Sequence, residues 1–257
     1  MCLRFLSRTR LQLTILRLAL EFALQDGSPI GFDLYQMPGS VNLIQSAKSL
    51  VLRSLDLYRG VSPEVLDLLL DIANLTQLFN NTREEAKQDP LDYSELVLLH
   101  LHRLLDFAPL GHQGSVNPLD DIVHLSLVAI MTTLLPEYGH NQARYDLLSS
   151  RLRCALQSYA TTTRYNDQLL LWALFVGHAT VLDDSDYRWL APLVGEISVH
   201  SNLHSWADVR AMLCERAWIC VLYDKKGTRL WRESSRGNEA GVLTPPFVAS
   251  SILDSSA

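Results

Sequence analysis

The run LLLWALFVGHATVL, residues 169–182, decides how this chain folds. A surface helix carries one apolar stripe and a polar back. Here Leu170, Leu171, Trp172, Leu174, Phe175 and Val176 leave no polar side, so the run reads as a central helix enclosed by others. It is also too short for a bilayer, which needs about 20 apolar residues, and it contains His178. A buried helix of this kind requires neighbours, and the flanking sequence supplies them.

Outward from this run, Pro29, Pro38, Pro63, Pro90, Pro109, Pro118, Pro136 and Pro192 divide the chain into apolar blocks of helical length. The spacing predicts helices near 5–24, 41–58, 63–80, 91–107, 118–135, 141–159, 167–182, 186–200 and 206–222. Two starts have clear local chemistry. Ser62 caps with Pro63 in the first helical position, between staple residues Val61 and Leu66; Asn117–Pro118 repeats the arrangement. Leu66, Leu69, Leu70 and Ala73 share one face of their helix. Leu43, Leu50 and Leu57 lie seven apart, but three positions followed by Gly60 and Pro63 read as core packing rather than a coiled coil. Strand-type alternation is nearly absent. The fold class is therefore all-α, a single multi-helix domain of about nine antiparallel-packed helices with one Leu-rich core. It occupies 1–232, opening with a helix and a Gly/Pro loop over 1–40, and a mobile tail is expected over 233–257.

Composition agrees. Of 257 residues, 48% are hydrophobic and fifty are Leu, which excludes a disordered chain. The net charge of −6 argues against a self-sufficient nucleic-acid binder, and only four of the 22 basic residues are Lys. The basic residues read as scattered, apart from Arg4, Arg8, Arg10 and Arg17 ahead of Glu21, which suggest the Arg face of a surface helix. Cys2, Cys154, Cys214 and Cys220 have neither zinc-module nor disulfide-framework spacing, so they read as reduced, mostly core cysteines of an intracellular protein.

No catalytic motif emerges. Asp183, Asp184 and Asp186 raise the question of the magnesium site of an isoprenoid cyclase. However, the residue four after Asp183 is Tyr187, and Asn166–Asp167 lacks the followers of a second metal motif; a helix-capping turn is the favoured reading. His100 and His102 point to different helical faces, a turn is expected between His200 and His204, and His124 follows Asp120 by four. These read as satisfied histidines at the rim of the scaffold. Neither a catalytic residue, a cofactor site nor a metal site is assigned.

Two segments, LLLWALFVGHA over 169–179 and HSWADVRAMLCERAWICVLYDKKGTRLW over 204–231, together resemble the helical regulatory region of fungal-specific transcription factors. That family shows W-x-L-F-x-G, then S-W-x-x-V-x-x-x-L with a following W, then D-x-x-G-x-x-L-W. The positions here are Trp172, Leu174, Phe175 and Gly177; Ser205, Trp206, Val209, Leu213 and Trp218; and Asp224, Gly227, Leu230 and Trp231. His178 stands where the pattern expects a small residue. Physically these positions are structural. Ser205 caps the helix at Trp206 with Asp208 favouring its positive end, and Trp206, Val209, Leu213 and Ala217 share a face. Gly177 admits a neighbouring helix, and Gly227 is expected to turn the chain so that Trp231 folds back. The tryptophans read as core rather than as a ligand pocket.

The resemblance implies a transcription-regulator-like protein of the nucleus, or alternatively the cytoplasm. It would act through the transcriptional machinery, another regulator or a small-molecule effector, without a membrane. The family's DNA reader needs six closely spaced cysteines for two zinc ions, and four dispersed ones cannot build it. No cofactor and no direct specific DNA binding are therefore expected, whether the chain is a truncated gene product or a free-standing regulatory domain. Two other readings follow from the helical pattern: a non-catalytic protein–protein adaptor outside transcription, and an all-α small-molecule enzyme.

Overall fold

Two helix starts are stitched together near the middle of the chain. In a computed structural model that describes residues 2–31, 58–81, 89–112, 117–135, 145–162 and 166–241 (backbone only for 2–9 and 237–241), Asn117 Oδ1 accepts from Leu119 N–H at 3.1 Å. The Asn117 side-chain amide also donates to Gly60 O at 2.7 Å, and Asp120 Oδ1 accepts from Ser62 N–H at 2.8 Å. The two cap-then-proline starts thus hold each other, and their orphan donors are satisfied across 58 residues of chain.

The described residues form nine α-helices and no strand. They are α1 (Cys2–Asp26), α2 (Pro63–Asn81), α3 (Pro90–Phe107), α4 (Pro118–Leu134), α5 (Asp146–Thr161), α6 (Asp167–Thr180), α7 (Tyr187–His200), α8 (Trp206–Cys214) and α9 (Cys220–Gly241), with a 3-10 turn at Asp184–Asp186. The chain is all-α with one Leu-rich core. The expected helix over 41–58, with Leu43, Leu50 and Leu57, lies outside the described residues apart from Tyr58.

Helix α6 occupies the centre. Asn166 Oδ1 caps it by accepting from Leu169 N–H at 3.0 Å, and every residue from Leu169 to Ala179 is buried. Around it pack α4, α5, α7, α8 and α9; α4 in turn touches α2, α3 and α5, and α1 lies on α3 and α5. Gly177 is required by close approach, as its position in the sequence pattern suggests. A methyl group there would lie 2.9 Å from Leu182 Cδ1 and 3.3 Å from Leu152 Cδ2 on α5. No described helix is long and apolar enough to cross a membrane.

Three expectations need correction at the end of the chain. The single helix expected over 206–222 ends at Cys214, and α9 begins anew at Cys220. Gly227 forms no turn, because it stands inside α9. That helix also runs to Gly241, past the boundary at Glu233 where a tail was expected. The break carries no Gly or Pro to announce it. It is held instead by tertiary hydrogen bonds: Tyr58 OH donates to Glu215 O at 3.4 Å, Trp172 Nε1–H to Ala217 O at 2.9 Å and Asn80 Nδ2–H to Trp218 O at 2.7 Å. Carbonyls that a continuous helix would pair internally are paired from outside.

Of the histidines expected at the rim, His200 and His204 are exposed, but three sit deeper. His100, His102 and His124 are buried, as is His178. His124 Nε2 donates to Leu104 O and His100 Nδ1 to Leu96 O, both at 2.8 Å, and His178 Nε2 pairs with Tyr187 OH at 2.9 Å. Burial lowers the pKa of His100 and of His124. For His178, burial and then the nearby Lys226 and Arg229 bring the value down to about 4, so the neutral ring is the native form. A depressed histidine pKa means that the unfolded chain binds the proton first. Stability is complete above pH 6.5 and falls as the pH drops toward 4. Denaturant unfolding between pH 7.5 and pH 4 should show this loss, on the order of 3 kcal/mol from His178 alone. In His178→Asn the same pH interval should be flatter; an equally steep decline would mean that the ring is protonated in the native state.

Candidate functional site

The motif residues scattered over sixty positions of sequence meet in space. Phe175 on α6 lies 6.0 Å from Trp206 and 6.4 Å from Trp218, centroid to centroid, and Trp218 lies 5.1 Å from Tyr223. The Phe175–Trp206 rings are tilted at 48°, and the other two pairs meet edge-on, the favourable arrangement of aromatic quadrupoles. Trp218 Nε1–H donates to Asp224 Oδ1 at 2.9 Å, and Asp224 Oδ2 accepts from Arg210 Nε–H at 2.8 Å. Gly227 passes directly beneath: a methyl there would stand 2.6 Å from Trp206 Cη2 and 3.2 Å from Trp218 Cζ2. Its smallness serves a packing contact rather than a turn.

Phe175, Trp206, Trp218, Asp224 and Gly227 therefore form one knot where α6, α8 and α9 converge, and Trp172 reaches the adjoining Ala217 O. Leu174, Val209, Leu213 and Leu230 are buried in the core, while Trp231 is half-buried against it. Ser205 lies at the edge as a helix cap: its Oγ accepts from Asp208 N–H at 3.2 Å and Asp208 Oδ2 accepts from Ser205 N–H at 2.9 Å, a reciprocal capping box. Gly177 alone stands apart, against Leu152 and Leu182. Trp172 and Trp218 have no exposed surface, so the knot is filled by its own rings.

The acidic cluster resolves into structure. Asp183 caps the 3-10 turn, with Oδ1 accepting from Ser185 N–H at 2.8 Å. Asp186 turns inward and takes two bonds from Arg153, at 2.6 and 2.8 Å, and a third from Trp189 Nε1–H at 2.9 Å. Burial opposes ionisation of Asp186, but Arg153 and the two N–H donors outweigh it and hold the carboxyl below its usual range. Among the described residues no three His, Cys, Asp or Glu side chains cluster as metal ligands. The turn between His200 and His204 is present, with Asn202 at φ 54°.

The surfaces open to a partner lie elsewhere. Helix α1 buries Leu13, Leu16, Leu20, Ala23 and Leu24, and its opposite side carries Leu11, Ile15, Leu18 and Phe22 at 60%, 45%, 49% and 62% exposure. Spacings of four, three and four make these a continuous apolar seam facing water. On α9, Tyr223, Gly227, Leu230 and Ser234 face inward, whereas Lys225, Arg229, Arg232 and Arg236 repeat the same spacing outward. With Thr228 and Glu233 they line an open groove of about 570 Å³. Arg229 stacks 5.0 Å from the Tyr187 ring centroid and reaches Asp184 at 3.6 Å. The basic residues of this region are thus collected, not scattered. Of the described cysteines, expected mostly in the core, Cys154 is exposed, and Cys214 and Cys220 are half-buried against the core.

Comparison of the chain with protein-family models, characterised proteins and solved structures finds no match.

Replacing Gly227 with Ala tests the knot. Helix propensity favours Ala by about 1 kcal/mol, but forcing a methyl against fixed rings costs about 1–3 kcal/mol. The denaturant midpoint of Gly227→Ala should fall and the near-ultraviolet circular dichroism of the tryptophans should change. A raised midpoint with unchanged dichroism would contradict the contact.

Proposed function

We propose that this chain is a regulatory helical domain of the kind that accompanies the zinc cluster in fungal-specific transcription factors, that it works in the nucleus by binding another protein, and that it reads no DNA sequence itself. The observation that carries the binding half is the α1 seam. Leu11, Ile15, Leu18 and Phe22 hold large apolar surface in water along one helix face. Contiguous exposed apolar surface of this kind is characteristic of interaction sites, and anchors at i, i+4, i+7 and i+11 suit a partner helix or groove. Such a partner would belong to the transcriptional machinery or be another regulator.

The transcriptional half rests on the resemblance over 169–179 and 204–231. The convergence of Phe175, Trp206, Trp218, Asp224 and Gly227 supports it, since a family fingerprint made of structural residues should form one packed unit. The α1 seam serves equally well for an adaptor outside transcription. The identity of the neighbours separates the two readings.

Proximity labelling with the full chain should mark transcription and chromatin proteins, and Leu18→Asp with Phe22→Asp should abolish that labelling. These positions are exposed, so the unfolding free energy should change by no more than about a few tenths of a kcal/mol each. Trafficking proteins alone would favour the adaptor; unchanged labelling by the double variant would remove the seam from the interface. In the same preparation, gel shifts should detect no sequence-specific duplex binding. Tight binding with a steep salt slope would overturn the absence of a DNA reader.

A further inference from the structure

The break between α8 and α9 brings two thiols together. Cys214 is the last residue of α8 and Cys220 the first of α9, and their sulfurs lie 3.4 Å apart. A disulfide needs about 2.05 Å, so the sulfurs have little more than 1 Å to close. The surrounding backbone is already held by groups other than the sulfurs. Asn80 at the end of α2 grips both sides, donating to Trp218 O at 2.7 Å and accepting from Cys220 N–H at 2.9 Å. Trp172 holds Ala217 O. The buried Arg216 ties the segment to α8 and α6, through Met212 O at 2.8 Å and Gln168 Oε1 at 2.9 Å. The loop that a disulfide would close is therefore closed in advance, and the thiols face each other without help from a bond between them.

We propose that Cys214 and Cys220 form a reactive dithiol, a modification site whose co-reactant is a small disulfide of the glutathione class. One protein thiolate attacks the oxidant's S–S bond, forms a mixed disulfide and releases one small thiol. The second thiolate then attacks the protein sulfur of that mixed disulfide and releases the other. In sum, two protein thiols become one disulfide, and the oxidant's disulfide becomes two thiols.

The order of attack follows from the surroundings. Burial, with Cys220 as the next cause, pushes the Cys214 thiol up to about 12, so Cys214 keeps its proton at neutral pH. Cys220 therefore attacks first and Cys214 resolves. Once Cys220 is capped, the contact with it that favours the Cys214 proton is gone, and the resolving thiol ionises more readily. Cys154, exposed and remote in sequence, has no such partner among the described residues and should stop at the mixed disulfide. None of this depends on what α1 binds.

The experiment is direct because Arg216 lies between the two sulfurs. Trypsin places Cys214 in peptide 211–216 and Cys220 in peptide 217–225, so the disulfide joins two separate peptides. The full chain, reduced and then equilibrated with oxidised glutathione, should yield this linked pair on non-reducing mass mapping, with glutathione retained at Cys154. Cys214→Ser should lose the linked pair and accumulate glutathione on Cys220, whereas Cys220→Ser should leave Cys214 slowly modified. Glutathione on both cysteines of the wild-type chain, or two free thiols where Cys154 is fully modified, would overturn the proposal. Should either variant fail to fold, Cys154→Ser keeps the pair intact, and the same mapping of that chain decides.

Discussion

The indole of Trp172 donates a hydrogen bond to Ala217 O deep inside the protein, and much of the remaining structure can be argued from it. Helix α6 has no polar face, so it is stable only when enclosed, each buried Leu or Phe contributing about 1.5–3 kcal/mol. An enclosing set of apolar side chains offers the Trp172 N–H no acceptor, and a buried N–H without one is costly. The acceptor comes from the break between α8 and α9, where the carbonyls of Glu215, Ala217 and Trp218 leave the helical pattern. A donor stranded in the core and a carbonyl released by the break satisfy each other. The central helix thus sets where the last part of the chain must interrupt itself.

This also explains which parts of the fold were legible in the sequence. Local chemistry is visible there: the caps at Ser62, Asn117 and Ser205 and the all-apolar character of α6 are legible because each depends on neighbours within a turn or two, whereas the cap at Asn166 emerges only in the structure. The break at 215–219 depends on Tyr58, Asn80 and Trp172, which are far away in sequence and chemically unremarkable as residue types. Without a Gly or Pro, 206–222 reads as one helix. Gly227 misled for the opposite reason. A glycine suggests a turn, but this one was selected by the rings of Trp206 and Trp218, and the helix continues through it. Likewise, the Ser and Gly content after Glu233 suggested a tail, yet Ser234 and Ser235 both return a hydroxyl hydrogen bond to Trp231 O within α9.

The exposed faces of α1 and α9 were harder to see because they share their spacing with the core. On α1, Leu11, Ile15, Leu18 and Phe22 have the same kind of helical periodicity as Leu13, Leu16, Leu20 and Leu24; only packing on α3 and α5 separates an inner row from an outer one. On α9, the basic row at Lys225, Arg229, Arg232 and Arg236 appears once the helix is known to run unbroken through Gly227. The expected turn there had dispersed it. Helix continuity is therefore what turns separate charges into a surface.

The surplus of leucine now divides into two populations with different meanings. The larger lines the core, where Leu side chains fill the space around α6 and need no further explanation. Among the described residues the smaller, exposed group includes Leu11 and Leu18, which stand on α1 beside Ile15 and Phe22, on a helix whose opposite face is already buried. A helix needs one apolar face to dock on its own domain; a second, continuous one adds nothing to folding and favours association. Arg17 sharpens the point by pairing with Glu21 at 2.8 Å, so charge near the seam is neutralised in place. A side built this way repels a neighbouring apolar surface less than a row of free cations would. The two ends of the domain therefore differ in surface chemistry: apolar at α1, and basic along the Lys225–Arg236 face of α9.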